Sequence, residues 1–243
     1  MTRIKAILFD LDGVLVDMCE AHYESLNKAL EYHSFPIIDR EHHIKDMNGL
    51  PTKIKLEKLR YSSEQINIIN KTKQRYTLEA INKYVRPDDE KIELLKILQK
   101  LGYKLACVTN SITETTEAML RTAGIINFFD IIITNEDVTN AKPDPEGYRL
   151  AISKLNLLPE EVIIVEDSPK GIEAACATVP EKLVIETLRV DFKWTNMVSL
   201  ILSIDIQYHT GYNIHIMNLE HVDCANSFYG NIIIDYPNKK VIK

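Results

Sequence analysis

The sequence predicts an α/β fold: a doubly wound, Rossmann-like parallel sheet with an α-helical cap domain inserted behind its first strand. Three observations carry this reading. Short apolar runs recur along the 243 residues, each followed by a helical pattern, which is the βαβ alternation of a parallel sheet. The first run, Ala6-Ile7-Leu8-Phe9, is continuously apolar, as in a strand buried on both faces. The first and second runs stand roughly ninety residues apart, where a βαβ unit needs only about 30.

Taken in order, the first strand ends in two carboxylates one residue apart, Asp10 and Asp12, before Gly13. In an extended chain these would point the same way, and two anions at the end of a buried strand are costly without a cation or a reacting group. An ordinary Asp-Gly turn is the competing reading. From residue 18 to 84 the pattern is helical, with Tyr23, Leu26 and Leu30 on one face, then Ile54, Leu56 and Leu59, then Ile66 and Ile69. Gly49-Leu50-Pro51-Thr52 breaks this block in two. Asp88, Asp89 and Glu90 open the next helix and Gly102 closes it. Lys104 to Thr109 is the second strand, and Ser111 with Glu114 forms a capping-box pattern for the helix that follows. Ile131 to Ile133 is the third strand, and Asp144-Pro145 starts a helix. Val162 to Val165 is the fourth, with Ser168-Pro169 starting its helix, and Leu183 to Ile185 is the fifth. The domains expected are a core of residues 1–17 and 85–202, a helical cap of residues 18–84, and an extension of residues 203–243. Within that extension Ile204 to Tyr208, Asn213 to Met217 and Asn231 to Tyr236 look like short strands, forming an edge hairpin, an assembly arm or a further module.

Composition narrows the function. The net charge of −6 argues against a general nucleic-acid binder. No run of about 18 apolar residues is present, so no membrane span is expected. The first strand begins too early for a signal peptide to precede it in this sequence, and Cys19, Cys107, Cys176 and Cys224 show no metal or disulfide spacing. A cytoplasmic protein with reduced thiols is expected. The block 18–84 differs from the rest, holding 11 basic and 9 acidic side chains.

Each apolar strand ends in chemistry. Asp10 and Asp12 follow the first, Thr109, Asn110 and Ser111 the second, Lys142 lies in the loop after the third, and Glu166 and Asp167 follow the fourth. Singly these read as turn residues, N-caps, a solvated loop lysine and helix-start acidity. A parallel sheet brings all of them to one rim, where open α/β sheets bind ligands. The rim then offers carboxylates to a metal, and a lysine, a hydroxyl and a helix N-terminus to an anion.

FDLDGVLVD, VTNS, AKPDPEGY and VEDSPKGIEAA resemble the four successive motifs of the haloacid dehalogenase superfamily, and in detail its β-phosphoglucomutase-like branch with a helical cap. The match runs from about Ile4 to Ile185. The resemblance implies a Mg²⁺-dependent phosphatase acting on a small phosphorylated metabolite, such as a sugar phosphate. Asp10 would attack phosphorus and form an aspartyl-phosphate; Asp12 would protonate the leaving oxygen and then activate water. Thr109 and Lys142, with the backbone of Asn110 and Ser111, would hold the phosphoryl oxygens. Asp167, the Asp10 carboxylate and the Asp12 carbonyl would hold Mg²⁺, with Glu166 in or beside that shell. Asp12 argues against halide displacement, because a halide needs no proton.

The cap departs from the mutase pattern. Aligned on Gly49, the lysine and arginine that manage a bis-phosphorylated sugar in the mutase fall at Asn48 and Thr52. Lys53 or Lys55 would have to replace them, and Thr52 and Lys53 are the expected leaving-group contacts. His22 touches substrate, steadies the cap hinge or is a plain helix-surface histidine. His42 and His43 read as exposed, and Tyr61 to Lys73 offers no identifiable site. A sugar-phosphate mutase is the alternative activity. A non-catalytic module that docks a protein partner through the extension is the third reading, and no motif supports it.

Overall fold

A computed structural model describes residues 4–47, 50–187, 194–210, 213–216, 232–236 and 239–240; Asn48, Gly49 and Cys224 lie outside them. Strand β1 (Ala6–Phe9) leads into a helical stretch made of α1 (Cys19–Tyr32), α2 (Arg40–His42), a π-helical turn (His43–Met47), α3 (Thr52–Lys58) and α4 (Ser63–Tyr84). Alternation then begins with α5 (Asp89–Lys100), β2 (Lys104–Val108), α6 (Thr113–Thr122) and β3 (Ile131–Ile133). It continues through α7 (Glu146–Lys154), β4 (Val162–Glu166), α8 (Pro169–Cys176) and β5 (Val184–Glu186).

The five strands form one parallel sheet in the order β3-β2-β1-β4-β5. β1 is central, with Phe9 level with Cys107 of β2 and with Val165 of β4. Its four residues are fully buried, which explains the unbroken apolar run: helices cover both faces of a parallel sheet. The flush register is what brings the three central strand ends, and their polar residues, to one place.

Several helix starts follow their local chemistry. Asp88 accepts from the backbone N–H groups of Glu90 and Lys91, Ser62 and Gln65 form a reciprocal capping box, and Ser168 accepts from Gly171 N–H behind Pro169. Gly102 takes φ +86° as α5 ends. α6 departs from expectation. Its N-cap is Ile112, with no side-chain cap, because the Ser111 hydroxyl is drawn away to Asp12. α7 starts one residue later than the pattern indicated, with Asp144 still accepting from Glu146 N–H.

The helices between β1 and β2 have their own apolar cluster, of Leu26, Ala29, Leu30, Leu56, Ile66 and Ile69 among others, separate from the cluster around the sheet. The stripe spacing read from the sequence therefore closes on itself, α1 against α4, as well as onto the sheet.

The extension differs from the reading of its first segment. Ile204 to Tyr208 belong to a helix, α9 (Met197–Thr210), not to a strand. Met197 and Ile201, four apart, are both fully buried, and Asp205, four further, accepts from Ile4 N–H at 2.9 Å. That is a helical period, which the local β-branched content masked. β6 (Asn213–Ile216) and β7 (Ile232–Tyr236) are strands as expected, and with β8 (Lys239–Lys240) they form a separate antiparallel sheet rather than an edge hairpin on the main one. Among the described residues no helix is long and apolar enough to cross a membrane.

Burial of Ile201 against the sheet cluster makes α9 part of the folding unit. Ile201→Ala is expected to lower unfolding free energy in a urea titration by about 2–5 kcal/mol, and Ile44→Ala, on an exposed side chain, by less than about 0.5 kcal/mol. Equal, small effects would detach α9 from the core.

Candidate active site

The rim residues expected from the sequence do meet, and one ammonium group joins them. Lys142 Nζ lies 2.6 Å from Asp10 Oδ1, 2.6 Å from Glu166 Oε1, 2.8 Å from the Val108 carbonyl oxygen and 2.9 Å from the Tyr148 hydroxyl. Its side chain is 6% exposed, so this is a buried charge held by two anions. Burial works against the charge, but the two carboxylates more than offset it and hold Lys142 above the ordinary lysine range. Tyr148 closes the ring by donating to Glu166 Oε1 at 2.8 Å. Asn110 contributes its side chain here: Oδ1 accepts from Lys142 N–H and Nδ2 donates to the Lys142 carbonyl, which pins the loop that carries the lysine.

Asp12 has a different environment. Its Oδ2 accepts from Ser111 Oγ at 3.1 Å and lies 3.2 Å from His22 Nε2. Lys73 Nζ is 3.1 Å from His22 Nδ1. An ammonium can only donate, so Nδ1 accepts, the imidazole is neutral, and Nε2–H donates to Asp12. Burial, followed by the Lys73 charge, holds His22 below the usual histidine value in agreement with that tautomer. Asp12 Oδ1 is buried with no hydrogen-bond partner among the described residues. Thr109 is also buried at the rim, its Oγ1 accepting from Ser111 N–H.

Carboxylate oxygens of Asp10, Glu166 and Asp167 lie within 4.8 Å of one another. Glu166 is already committed: Oε1 to Lys142 and Tyr148, Oε2 to the N–H groups of Asp167 and Ser168. Asp167 Oδ1 has no partner among the described residues. Burial, then the Glu166 and Asp12 charges, raises the Asp167 carboxyl to about 6. Burial, offset in part by Lys142 and reinforced by Glu166, raises Asp10 well above the carboxylate range. A set of hard oxygen donors with surplus negative charge and free lone pairs fits a hard divalent cation. Gly13, at φ +89°, passes so close that any side chain would strike the Asp167 carboxylate, and a side chain at Gly171 would strike Glu166.

This rim opens into a cavity of about 140 Å³ roofed by the inserted helices. At about 30 Å³ per water in the liquid, that is room for roughly five waters. Thr52 and Lys53 line it, as expected, but the Lys53 side chain is 73% exposed and reaches toward Glu57 at 3.9 Å. Asn48 lies outside the described residues. Two expectations need correcting. His43 is buried, not exposed; its ring packs on Tyr23, and Lys55 Nζ lies 3.1 Å from its Nε2. The stretch Tyr61 to Lys73 does contribute to the site, through Asn70 and Lys73. Lys73 sits in series with buried Ile66, Ile69, Thr77 and Ile81 on α4. A lysine on the apolar stripe of a helix was the available signal. His42 is exposed as expected.

A family model described as haloacid dehalogenase-like hydrolase matches residues 7–179. The chain is 29% identical over 187 residues to the phosphorylated carbohydrates phosphatase of Thermotoga maritima, covering 74% of this chain and 84% of that protein. It is 32% identical over 178 residues to validoxylamine A 7'-phosphate phosphatase of Streptomyces hygroscopicus subsp. limoneus, covering 70% and 80%. The crystal structure of β-phosphoglucomutase from Clostridium difficile shares the fold, with a TM-score of 0.66 at 23% identity over 82% of this chain and 97% of that one.

Because Lys142 balances two buried carboxylates, removing it leaves both unpaired. Lys142→Met is expected to cost about 3–5 kcal/mol of stability at neutral pH in metal-free buffer, measured by chemical denaturation. A loss below about 1 kcal/mol would mean that the ion pairs are not structural.

Proposed function

The chain belongs to the haloacid dehalogenase-like hydrolase family, and on that basis we propose that it is a Mg²⁺-dependent phosphatase that hydrolyses a small phosphate monoester, a sugar phosphate, through an aspartyl-phosphate on Asp10. The observation that carries the reading is the division of labour between two carboxylates on one cavity. Asp10 is gripped by a buried lysine, and Asp12 is fixed through one oxygen by His22 and Ser111 while its other oxygen has no partner among the described residues. The sugar-phosphate assignment follows the named activities of the relatives, which act on phosphorylated carbohydrates and on a 7'-phosphate.

In this reading Asp10 attacks phosphorus and the ester oxygen leaves with a proton from Asp12 Oδ1. Asp12 then removes a proton from the water that cleaves the acyl phosphate, so one residue serves as acid and then base. Splitting hydrolysis into two displacements lets a carboxylate do what water alone does slowly. Lys142 and Thr109, with the backbone N–H groups of Asn110 and Ser111, hold the phosphoryl oxygens and stabilise the charge spread over them. Asp10 and Asp167 side chains and the Asp12 carbonyl would hold Mg²⁺, and Glu166, its oxygens already engaged, keeps Lys142 and the Asp167 backbone in place. When bound, Mg²⁺ would supply the positive charge that allows a phosphate dianion to approach a carboxylate. The domain division follows from the same proposal: core residues 1–17 and 85–202 carry the chemistry, residues 18–84 form the cap, and residues 203–243 have no assigned role.

Two outcomes test this. Asp10→Asn is expected to lower turnover more than about a thousandfold while the circular dichroism spectrum is unchanged, and exhaustive chelation should abolish wild-type activity until Mg²⁺ is restored. Residual activity of a few per cent in the variant, or indifference to chelation, would remove the covalent or the metal part of the proposal. For Asp12→Ala, kcat/KM, which reports the first displacement, is expected to fall by about 10²–10⁴ on an alkyl phosphate and by much less on nitrophenyl phosphate, since a phenolate leaves without a proton, while kcat falls for both because the base of the shared second step is lost. One common factor in kcat/KM for both esters would take the acid role away from Asp12.

A further inference from the structure

Tyr148, in the first turn of α7, is a buried group at the rim to which the proposed chemistry gives no task. Its side chain is fully buried, as is that of Glu166. Its hydroxyl lies 2.9 Å from Lys142 Nζ and donates to Glu166 Oε1 at 2.8 Å. The ammonium also sits over the tyrosine ring, 4.6 Å from its centroid. Counting protons gives the hydroxyl a meaning. An ammonium has three N–H bonds. Oxygens of Asp10, Glu166, Val108 and Tyr148 all stand within hydrogen-bond distance of Lys142 Nζ. The ammonium is therefore over-subscribed before a ligand arrives, and a phosphoryl oxygen adds a further claim. Its N–H has to come from an acceptor that can release one. Asp10, as nucleophile, needs the ammonium to orient it. Glu166 can release it: without Lys142 it still receives the Tyr148 hydroxyl on Oε1 and the N–H groups of Asp167 and Ser168 on Oε2. Two carboxylates and a carbonyl only accept; of these oxygens, that of Tyr148 brings a proton of its own. Were it missing, the turn of Lys142 would strip a buried carboxylate oxygen of its donors, which is costly.

We propose that Tyr148 is a positioning residue for phosphoryl binding: its hydroxyl keeps Glu166 hydrogen-bonded while Lys142 turns an N–H from that carboxylate to a phosphoryl oxygen. This rests on the reading of Asp10 and Lys142 as the phosphoryl site. Tyr148 does not touch the substrate and acts through Glu166 and Lys142. Its effect falls on the phosphoryl group common to all substrates, so it sets affinity and leaves the choice among leaving groups unchanged.

The test is Tyr148→Phe, which removes the hydroxyl and keeps the ring beneath the ammonium. Inorganic phosphate is titrated into the full chain in Mg²⁺ buffer by calorimetry, and kcat/KM is measured for three unrelated phosphate esters. Phosphate Kd is expected to rise about tenfold with unchanged stoichiometry, and kcat/KM to fall by one common factor of about ten for all three esters. A merely structural hydroxyl would behave differently: part of the protein would unfold, so stoichiometry and kcat would drop together while Kd of the folded fraction stayed put. That result, an unchanged Kd, or a variant that does not fold at all would overturn the proposal. Glu166→Gln supplies the second arm. A neutral amide holds the lysine weakly, so adding Tyr148→Phe to Glu166→Gln should change phosphate Kd by less than about twofold; a full tenfold effect there would also overturn it. A wild type that hydrolyses no ester yet loses phosphate affinity in Tyr148→Phe refutes the phosphatase reading and supports the role of Tyr148. A wild type that neither hydrolyses esters nor binds phosphate refutes both.

Discussion

The ammonium of Lys142 is the constraint around which the site is built. It touches the Val108 carbonyl at the end of β2, Asp10 just past β1 and Glu166 at the end of β4, so one charge joins the ends of the three central strands. Removed from water, each carboxylate would be prohibitively costly alone, and so would the ammonium. Together they are tolerated because the fold holds each carboxylate 2.6 Å from the ammonium. Asn110 fixes the lysine's backbone from the loop after β2, and Tyr148 supplies the remaining acceptor from α7. Each helper comes from a different element, so the site is rigid in proportion to the rigidity of the sheet.

Charge is distributed unevenly over the two sides of the cavity. Among the described residues, the sheet rim contributes Asp10, Asp12 and Asp167 and one lysine, while the inserted helices contribute Lys53, Lys55 and Lys73 with His43 and His22. The carboxyls of Asp10 and Asp167 are raised and the amines of Lys55 and Lys73 lowered, burial being the first cause in each case. A cavity with an acidic floor and a basic roof is suited to a cation below and an anionic ligand above. The backbone makes room for the floor: Gly13 and Gly171 lie where a methyl group would displace the Asp167 and Glu166 carboxylates. The inserted helices can carry buried charge because their own apolar cluster, around Leu26, Leu56 and Ile69, stabilises them independently of it.

The rim was legible in the sequence because a parallel sheet converts order along the chain into position. Asp10, Thr109, Lys142 and Asp167 each follow an apolar run, and strands that all point one way must deliver them to one edge. Capping signals were legible for the same reason that they work, being local, as at Asp88 and Ser168. Local signals failed where a distant partner outbid them. Ser111 looks like an N-cap, but Asp12, 99 residues away in sequence, takes its hydroxyl. His43 looks like half of an exposed pair, yet it is buried, with Tyr23 of α1 and Lys55 of α3 against its ring. The segment Ile204 to Tyr208 reads as a strand by content, and the burial of Met197 and Ile201 against the core makes it a helix.

The sequence by itself determined the class of fold, the helical block after β1 and which residues meet at the sheet rim, because apolar periodicity and strand-end residues are properties of short segments. Only the tertiary structure decided which charges pair and which do not. Lys53 and Lys55 are two residues apart and indistinguishable by type, yet one reaches solvent and Glu57 while the other is sealed against His43 inside the cavity. On a helix two positions turn a side chain through about 200°, and which side faces the cavity depends on how α3 packs over the sheet. The same holds for Lys73, whose partner His22 is 51 residues away and whose position on the apolar stripe has meaning only once α4 lies against α1. Burial and pairing are set by what arrives from elsewhere in the chain, and that information exists only when the chain is folded.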